Sequence, residues 1–165
     1  MNKKCLTPNI VYMATVTTRT NSQGNDSAND TCNDTPINGT PINDTTHNNP
    51  QNQTIETKFY IGSTENFKQR YNNHKKSFNN KAYSNETSLS KYIWQLKDSN
   101  KQFTIAWEIL KTTSGYNRIS KNCSLCLSEK YSICLFKDKR NLLNKRSELI
   151  SKCRHSNKHL LKYHA

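Results

Sequence analysis

Apolar positions change their spacing several times along the chain, and each change marks an element. Asn9–Thr17 is short, β-branched and aromatic-containing, the composition of a strand. Lys58–Gly62 reads as a second strand, ended by Gly62-Ser63, with Ser63 or Thr64 as N-cap of a helix from about Glu65 to Asn79. Within Thr87–Asp98, Leu89, Tyr92, Ile93 and Leu96 share one stripe, which predicts a second helix. Phe103, Ile105, Trp107 and Ile109 then alternate with polar residues, the pattern of a half-buried strand. Cys123 to about Phe136 reads as a third helix, and Ser147–Cys153 as a shorter helical piece before a basic tail. The order β-β-α-α-β-α-α predicts an α+β fold, a small three-stranded antiparallel sheet flanked by helices.

Between the first two strands this patterning disappears. Residues 21–53 are mostly Asn, Thr, Asp, Ser, Pro and Gly. Such a segment buries too little apolar area to offset its ordering entropy, so a disordered insert is expected. Thr35–Asn38 recurs as Thr40–Asn43, which reads as slippage in a low-complexity tract. A long connection between paired strands is tolerable because loop-closure cost grows only logarithmically. The rest of the chain, about 130 residues, suffices for one modest core, so residues 1–165 are read as a single domain.

Charge narrows the partners. The net charge is +13, from 25 Lys and Arg against 12 Asp and Glu. Before Thr57 stand three basic residues (Lys3, Lys4, Arg19), so 22 of the 25 follow it, with 7 of the 12 acidic ones. A basic face on such a domain is the footprint of a phosphate-backbone partner, a nucleic acid. The alternative is a merely solvated Lys-rich surface. No stretch reaches the roughly 18 apolar residues of a membrane span, and the N-terminus lacks the apolar core of a signal peptide. An intracellular protein is therefore expected, with its six Cys free or metal-bound in preference to disulfide-linked.

Two helices carry an ionisable residue inside an apolar stripe. Phe67, Tyr71, His74 and Phe78 follow a 4-3-4 spacing, with Arg70 one turn before His74. A histidine there is either a core residue with its hydrogen bonds met or, paired with Arg70, part of a site facing Tyr60. Leu125, Glu129, Ile133 and Phe136 follow a 4-4-3 spacing, and Glu129 interrupts that stripe. A buried carboxylate needs a cation or a basic side chain, so ion pair and metal ligand both remain open.

Taken together these residues resemble the GIY-YIG nuclease family. Tyr60-Ile61-Gly62 matches the second half of the signature. Val11-Tyr12-Met13 is a degraded first half, with the central Tyr kept and the flanking Gly lost. Arg70 lies ten residues after Tyr60, His74 four further on, Glu129 on the later helix and Asn144 fifteen beyond it. Among subfamilies the chain is most similar to the endonuclease domain of Penelope-like retroelements, through Cys5–Thr7, Leu89–Tyr92, Cys123–Lys130 and Leu143–Leu149. The resemblance spans roughly Ile10 to Leu161 without the insert. The insert carries one Cys, Cys32, which argues against a metal site there.

The resemblance implies phosphodiester hydrolysis with one divalent cation, Mg²⁺ or Mn²⁺, held by Glu129. Arg70 would grip the scissile phosphate with its planar fork. Tyr12 or Tyr60 would orient or deprotonate the attacking water, with Arg70 or the metal lowering the phenol's pKa from about 10. His74 would hydrogen-bond the Tyr pair or relay the proton, and Asn144 would position phosphate or the Glu129 helix. A retroelement endonuclease implies a reverse transcriptase in cis or in trans and a nuclear location. The rival reading is a catalytically inactive nucleic-acid-binding module of the same fold. Separately, Cys123-x-x-Cys126 with Cys153-Arg154-His155 could supply four ligands for a structural zinc, with Cys5 as a spare. Alternatively Cys126 is a small core residue and the others are reduced thiols.

Overall fold

A computed structural model describes residues 8–21 and 53–159. The greater part of the Asn/Thr-rich insert, Cys5 and Cys32 lie outside the described residues. Strand β1 (Ile10–Asn21) pairs antiparallel with β2 (Gln53–Thr64) on one side and with β3 (Phe103–Thr112) on the other, giving the order β2-β1-β3. Helices α1 (Phe67–Asn79) and α2 (Ser88–Asp98) come between β2 and β3 in sequence. After β3 a two-residue hairpin, β4 (Tyr116–Asn117) and β5 (Asn122–Cys123), leads into α3 (Ser124–Leu135). Short helices α4 (Arg146–Ile150) and α5 (Arg154–His159) follow. The α+β architecture is as the sequence predicts; the β4–β5 hairpin and α5 are additions, and the helix expected over Ser147–Cys153 is α4, which ends at Ile150. No described helix is long and apolar enough to cross a membrane.

The first two strands run further than the sequence pattern predicts. β1 and β2 continue into the edges of the Asn/Thr-rich tract, where Thr20 pairs with Thr54 and Asn21 with Gln53. Ladder hydrogen bonds with a partner strand override weak intrinsic propensity there. The start of α1 also differs. Asn66 is its N-cap, with Gln69 N–H donating to Asn66 Oδ1 at 3.0 Å. Thr64 Oγ1 accepts from Asn66 N–H, and Ser63 points elsewhere. Thr87 caps α2 as its position implies, accepting from Ser90 N–H at 3.0 Å while Ser90 Oγ accepts from Thr87 N–H.

Because β1 is central, its alternating side chains enter two cores. Ile10, Tyr12, Ala14 and Val16 join Tyr60, Leu89, Ile93 and Leu96 beneath α1 and α2. Val11 joins Ile61, Leu125 and Ile133 on the opposite side, under α3. Each fully buried aliphatic side chain contributes on the order of 1.5–3 kcal/mol. Val11, beside Tyr12, is thus buried in the α3 core, and Tyr12 itself faces α1.

Strand β2 is the sheet edge, and the chain returns to cover it. Leu143 N–H donates to Phe59 O at 2.7 Å, and Leu142 forms a parallel bridge with Phe59. Asn144 continues this pairing with its side chain, donating from Nδ2 to Ile61 O at 2.7 Å and accepting from Ile61 N–H at 2.8 Å. An exposed row of strand amides is thereby blocked.

Gly62 is required by space. A Cβ built there would lie 2.5 Å from Tyr12 Oη and 2.7 Å from its Cζ. Tyr12 is fully buried and hydrogen-bonded, so it has no room to yield. Gly62→Ala is expected to cost about 1–3 kcal/mol through overpacking, read as a lower urea midpoint with an unchanged denaturant slope.

Candidate active site

The polar residues of α1 converge on Tyr12. Arg70 Nε donates to Tyr12 Oη at 3.0 Å, and Tyr12 Oη lies 2.8 Å from His74 Nε2. An arginine nitrogen can only donate, so the phenol's own hydrogen is free to point at His74. The consistent arrangement is a directed chain, Arg70 to Tyr12 to His74, with the His74 proton on Nδ1. Burial, with the Arg70 charge adding to it, pulls the His74 pKa down to about 3, so the ring is neutral at physiological pH. His74 is also packed by rings, with Phe78 stacked at 5.8 Å and Tyr60 edge-on at 6.0 Å between centroids.

The two tyrosines differ in access. Tyr12 is fully enclosed, whereas Tyr60 keeps 5 % exposure and borders the groove beside β2. Both phenols are pushed above the usual tyrosine range, chiefly by burial, which outweighs the lowering by Arg70. The expectation that Arg70 lowers a phenol into the range of a base is therefore reversed by the protein on its own. Desolvation penalises a buried phenolate by more than one partly shared guanidinium restores.

Glu129 reaches the same groove from the other face of the sheet. It sits on α3 between the buried Leu125 and Ile133, as its spacing implies. Ser63 Oγ donates to Glu129 Oε2 at 2.9 Å. This explains why Ser63 does not cap α1. Among the described residues no Lys, Arg or His nitrogen comes within ion-pair distance of Glu129. Burial pushes its carboxyl up; the Ser63 hydrogen bond and the Arg154 and Arg70 charges oppose that, and Glu148 adds to it. A half-buried carboxylate that faces a polar groove without a fixed basic partner fits a hard cation better than an internal ion pair.

Around these groups the groove is basic. It consists of two adjoining pockets that share Arg70, Glu129, Lys152 and Arg154, and Lys91 and Lys145 line one of them. Ser63, Arg154 and Glu148 also border the groove, and the sequence pattern gives none of them a place in the site. Glu148 borders the groove beside Tyr60, and its Oε2 accepts from Asn144 Nδ2 at 2.6 Å while Oε1 accepts from Ser88 Oγ at 2.9 Å. The four-residue step from Asn144 to Glu148 was the available signal. Asn144 itself bonds Ile61 and Glu148, so its contacts fix the β2 edge and not the Glu129 helix.

The cysteine motif also assembles. The ligand atoms of Cys123, Cys126, Cys153 and His155 all lie within 4.8 Å of one another. Burial, with hydrogen bonds and repulsion from Cys153 and Cys123, pushes the Cys126 thiol well up.

Comparison with known proteins agrees with this geometry. The family model of the GIY-YIG catalytic domain matches residues 49–119, a stretch that contains Tyr60, Gly62, Arg70 and His74 and ends before Glu129. No curated protein and no solved structure matches the chain. The matched domain is a nuclease catalytic domain, and the groove places the Glu129 carboxylate and the Arg70 guanidinium side by side.

The buried neutral His74 makes a pH prediction. In the unfolded chain a histidine takes up a proton near pH 6.5, whereas folded His74 does so only near 3. The unfolded state binds more protons between these values, so stability contributed by neutral His74 is lost as pH falls from about 6.5 to 3, at up to about 1.4 kcal/mol per pH unit. Glu129, with its carboxyl raised, acts in the opposite sense. Urea midpoints of wild type and His74→Gln between pH 7 and 4 are expected to show a shallower acid loss in the variant.

Proposed function

We propose that this chain is a metal-dependent DNA endonuclease that hydrolyses one phosphodiester at a time. The observation that carries the reading is the meeting of Arg70 and Glu129, from opposite faces of the sheet, in one basic groove beside Tyr60. A scissile phosphate lying there would be gripped by the planar Arg70 fork. Glu129 would hold Mg²⁺ or Mn²⁺, with Ser63 orienting the carboxylate through Oε2. Such a cation supplies Lewis-acid stabilisation of the phosphorane charge and of the leaving 3′-oxygen.

The attacking water falls to Tyr60, since Tyr12 is sealed from the groove. With its pKa raised, Tyr60 orients the water by hydrogen bonding and does not act as a phenolate base at neutral pH. Tyr12 and His74 are positioning residues: their hydrogen-bond chain keeps the Arg70 guanidinium aimed along the groove. Lys91, Lys145, Lys152 and Arg154 would follow the DNA backbone on either side.

The stretches similar to Penelope-like endonucleases support a retroelement origin. Such an origin would place the protein with a reverse transcriptase, in cis or in trans, and in the nucleus where its target DNA lies. A single cation site supports nicking over a concerted double-strand cut.

Incubation of supercoiled plasmid with Mg²⁺ or Mn²⁺ is expected to yield nicked circles with wild type. Glu129→Ala and Arg70→Ala should nick at least about 100-fold more slowly, with Glu129→Ala retaining DNA binding in a gel-shift assay. Binding by all three proteins with no nicking by wild type would leave the inactive binding module as the correct reading.

A further inference from the structure

The C-terminal part of the described chain is held by little that is apolar. Helices α4 and α5 have five and six residues, too short to be stable alone. From Ser151 to Ser156 no residue is fully buried, and Leu149, just before this stretch, packs against the α3 core. Yet this segment places Arg154 at the groove, where its charge bears on Glu129.

We propose that Cys123, Cys126, Cys153 and His155 bind one zinc ion, which pins this segment to the start of α3 and so sets Arg154 at the groove. Three sulfurs and one imidazole form a soft donor set suited to tetrahedral zinc. Cys126 Sγ and Cys153 Sγ are 3.5 Å apart, and His155 Nδ1 lies 3.5 Å from Cys123 Sγ and 3.2 Å from Cys126 Sγ. A tetrahedron with 2.3 Å zinc–sulfur bonds has edges of about 3.8 Å, close to these separations. A disulfide needs its sulfurs at about 2.05 Å and would leave Cys123 and His155 without a common purpose. Four protein ligands leave no open position, so the site is structural and distinct from the Glu129 cation.

Surrounding contacts support the metal. The β4–β5 hairpin delivers Cys123 to the α3 N-terminus, where Cys126 N–H donates to Cys123 Sγ at 3.4 Å and fixes the sulfur's position. His155 turns Nδ1 to the sulfurs and Nε2 toward Glu65, whose Oε1 is 3.9 Å away. A carboxylate behind the second ring nitrogen is a recurrent means of orienting a zinc-binding histidine. Glu65 belongs to the turn between β2 and α1, so the clamp gathers three segments on one side of the groove.

Metal analysis of the full chain, purified under reducing conditions without chelator, should find one zinc per chain. Exchange with Co²⁺ should give the thiolate charge-transfer and tetrahedral d–d bands. Cys153→Ser and His155→Ala should lose most of the zinc; Cys134→Ser and Arg154→Ala should keep it. Chelation of wild type should speed amide exchange over residues 151–156 while the β1–β2–β3 amides stay protected. Zinc below about one tenth per chain in folded wild type that also fails to take up Co²⁺ would overturn the proposal. So would full zinc in both ligand variants, or a Cys126–Cys153 disulfide in the reduced protein's mass. None of these readouts depends on DNA cleavage, so this site and the nuclease reading fail separately.

Discussion

The Tyr12 phenol lies in the space that a side chain at Gly62 would occupy, and much of the site depends on that contact. Because Gly62 has no Cβ, the ring can pass close over it and bring its oxygen to α1. There it accepts from Arg70 and faces His74, both on that helix. Packing rings enclose the group, with Phe67 and Trp107 at 5.6 and 5.7 Å from Tyr12. A close-packed surround of this kind leaves Arg70 few alternative rotamers. The same enclosure strips water from the phenols and from His74, so all three are held neutral while Arg70 keeps its charge.

A second consequence follows from β2 being an edge strand. A central strand would separate the α1 face from the α3 face by its neighbours on both sides. At the edge the two faces meet around the strand, and Arg70 and Glu129 can share one groove. That edge must still be kept from pairing with other strands. Leu142, Leu143 and Asn144 do this from the side, and the Asn144 amide gives Ile61 both hydrogen bonds that a strand residue would give. The groove therefore opens where the covering segment turns away into α4, at Glu148.

The basic character read from the composition acquires a location in this arrangement. Lys91 comes from α2, Lys145 from the start of α4, and Lys152 and Arg154 from the segment before and at the start of α5. Lys91 lies more than 50 positions before the other three, which come from the C-terminal segment. No local run of Lys or Arg marks the groove; the sheet edge gathers them.

How much was legible depends on the range of the interaction concerned. Periodicity alone determined the element order, the α+β class and the two stripes interrupted by His74 and Glu129, because burial of a helix face is written in every third or fourth residue. The spacing of Tyr60, Arg70 and His74 determined that they share a surface, since a strand followed at once by a helix has few ways to fold back. The Cys and His spacings singled out Cys123, Cys126, Cys153 and His155, and the fold brings their ligand atoms within 4.8 Å of one another. Tertiary structure decided what remained. It took Ser63 from a helix cap to a Glu129 partner and brought Glu148 and Arg154 to the groove. It turned Asn144 onto the β2 edge and raised both tyrosine pKa values where the sequence had suggested a lowering. Each of those outcomes rests on desolvation or on contact between residues roughly 60 or more positions apart, and neither quantity exists until the chain has folded.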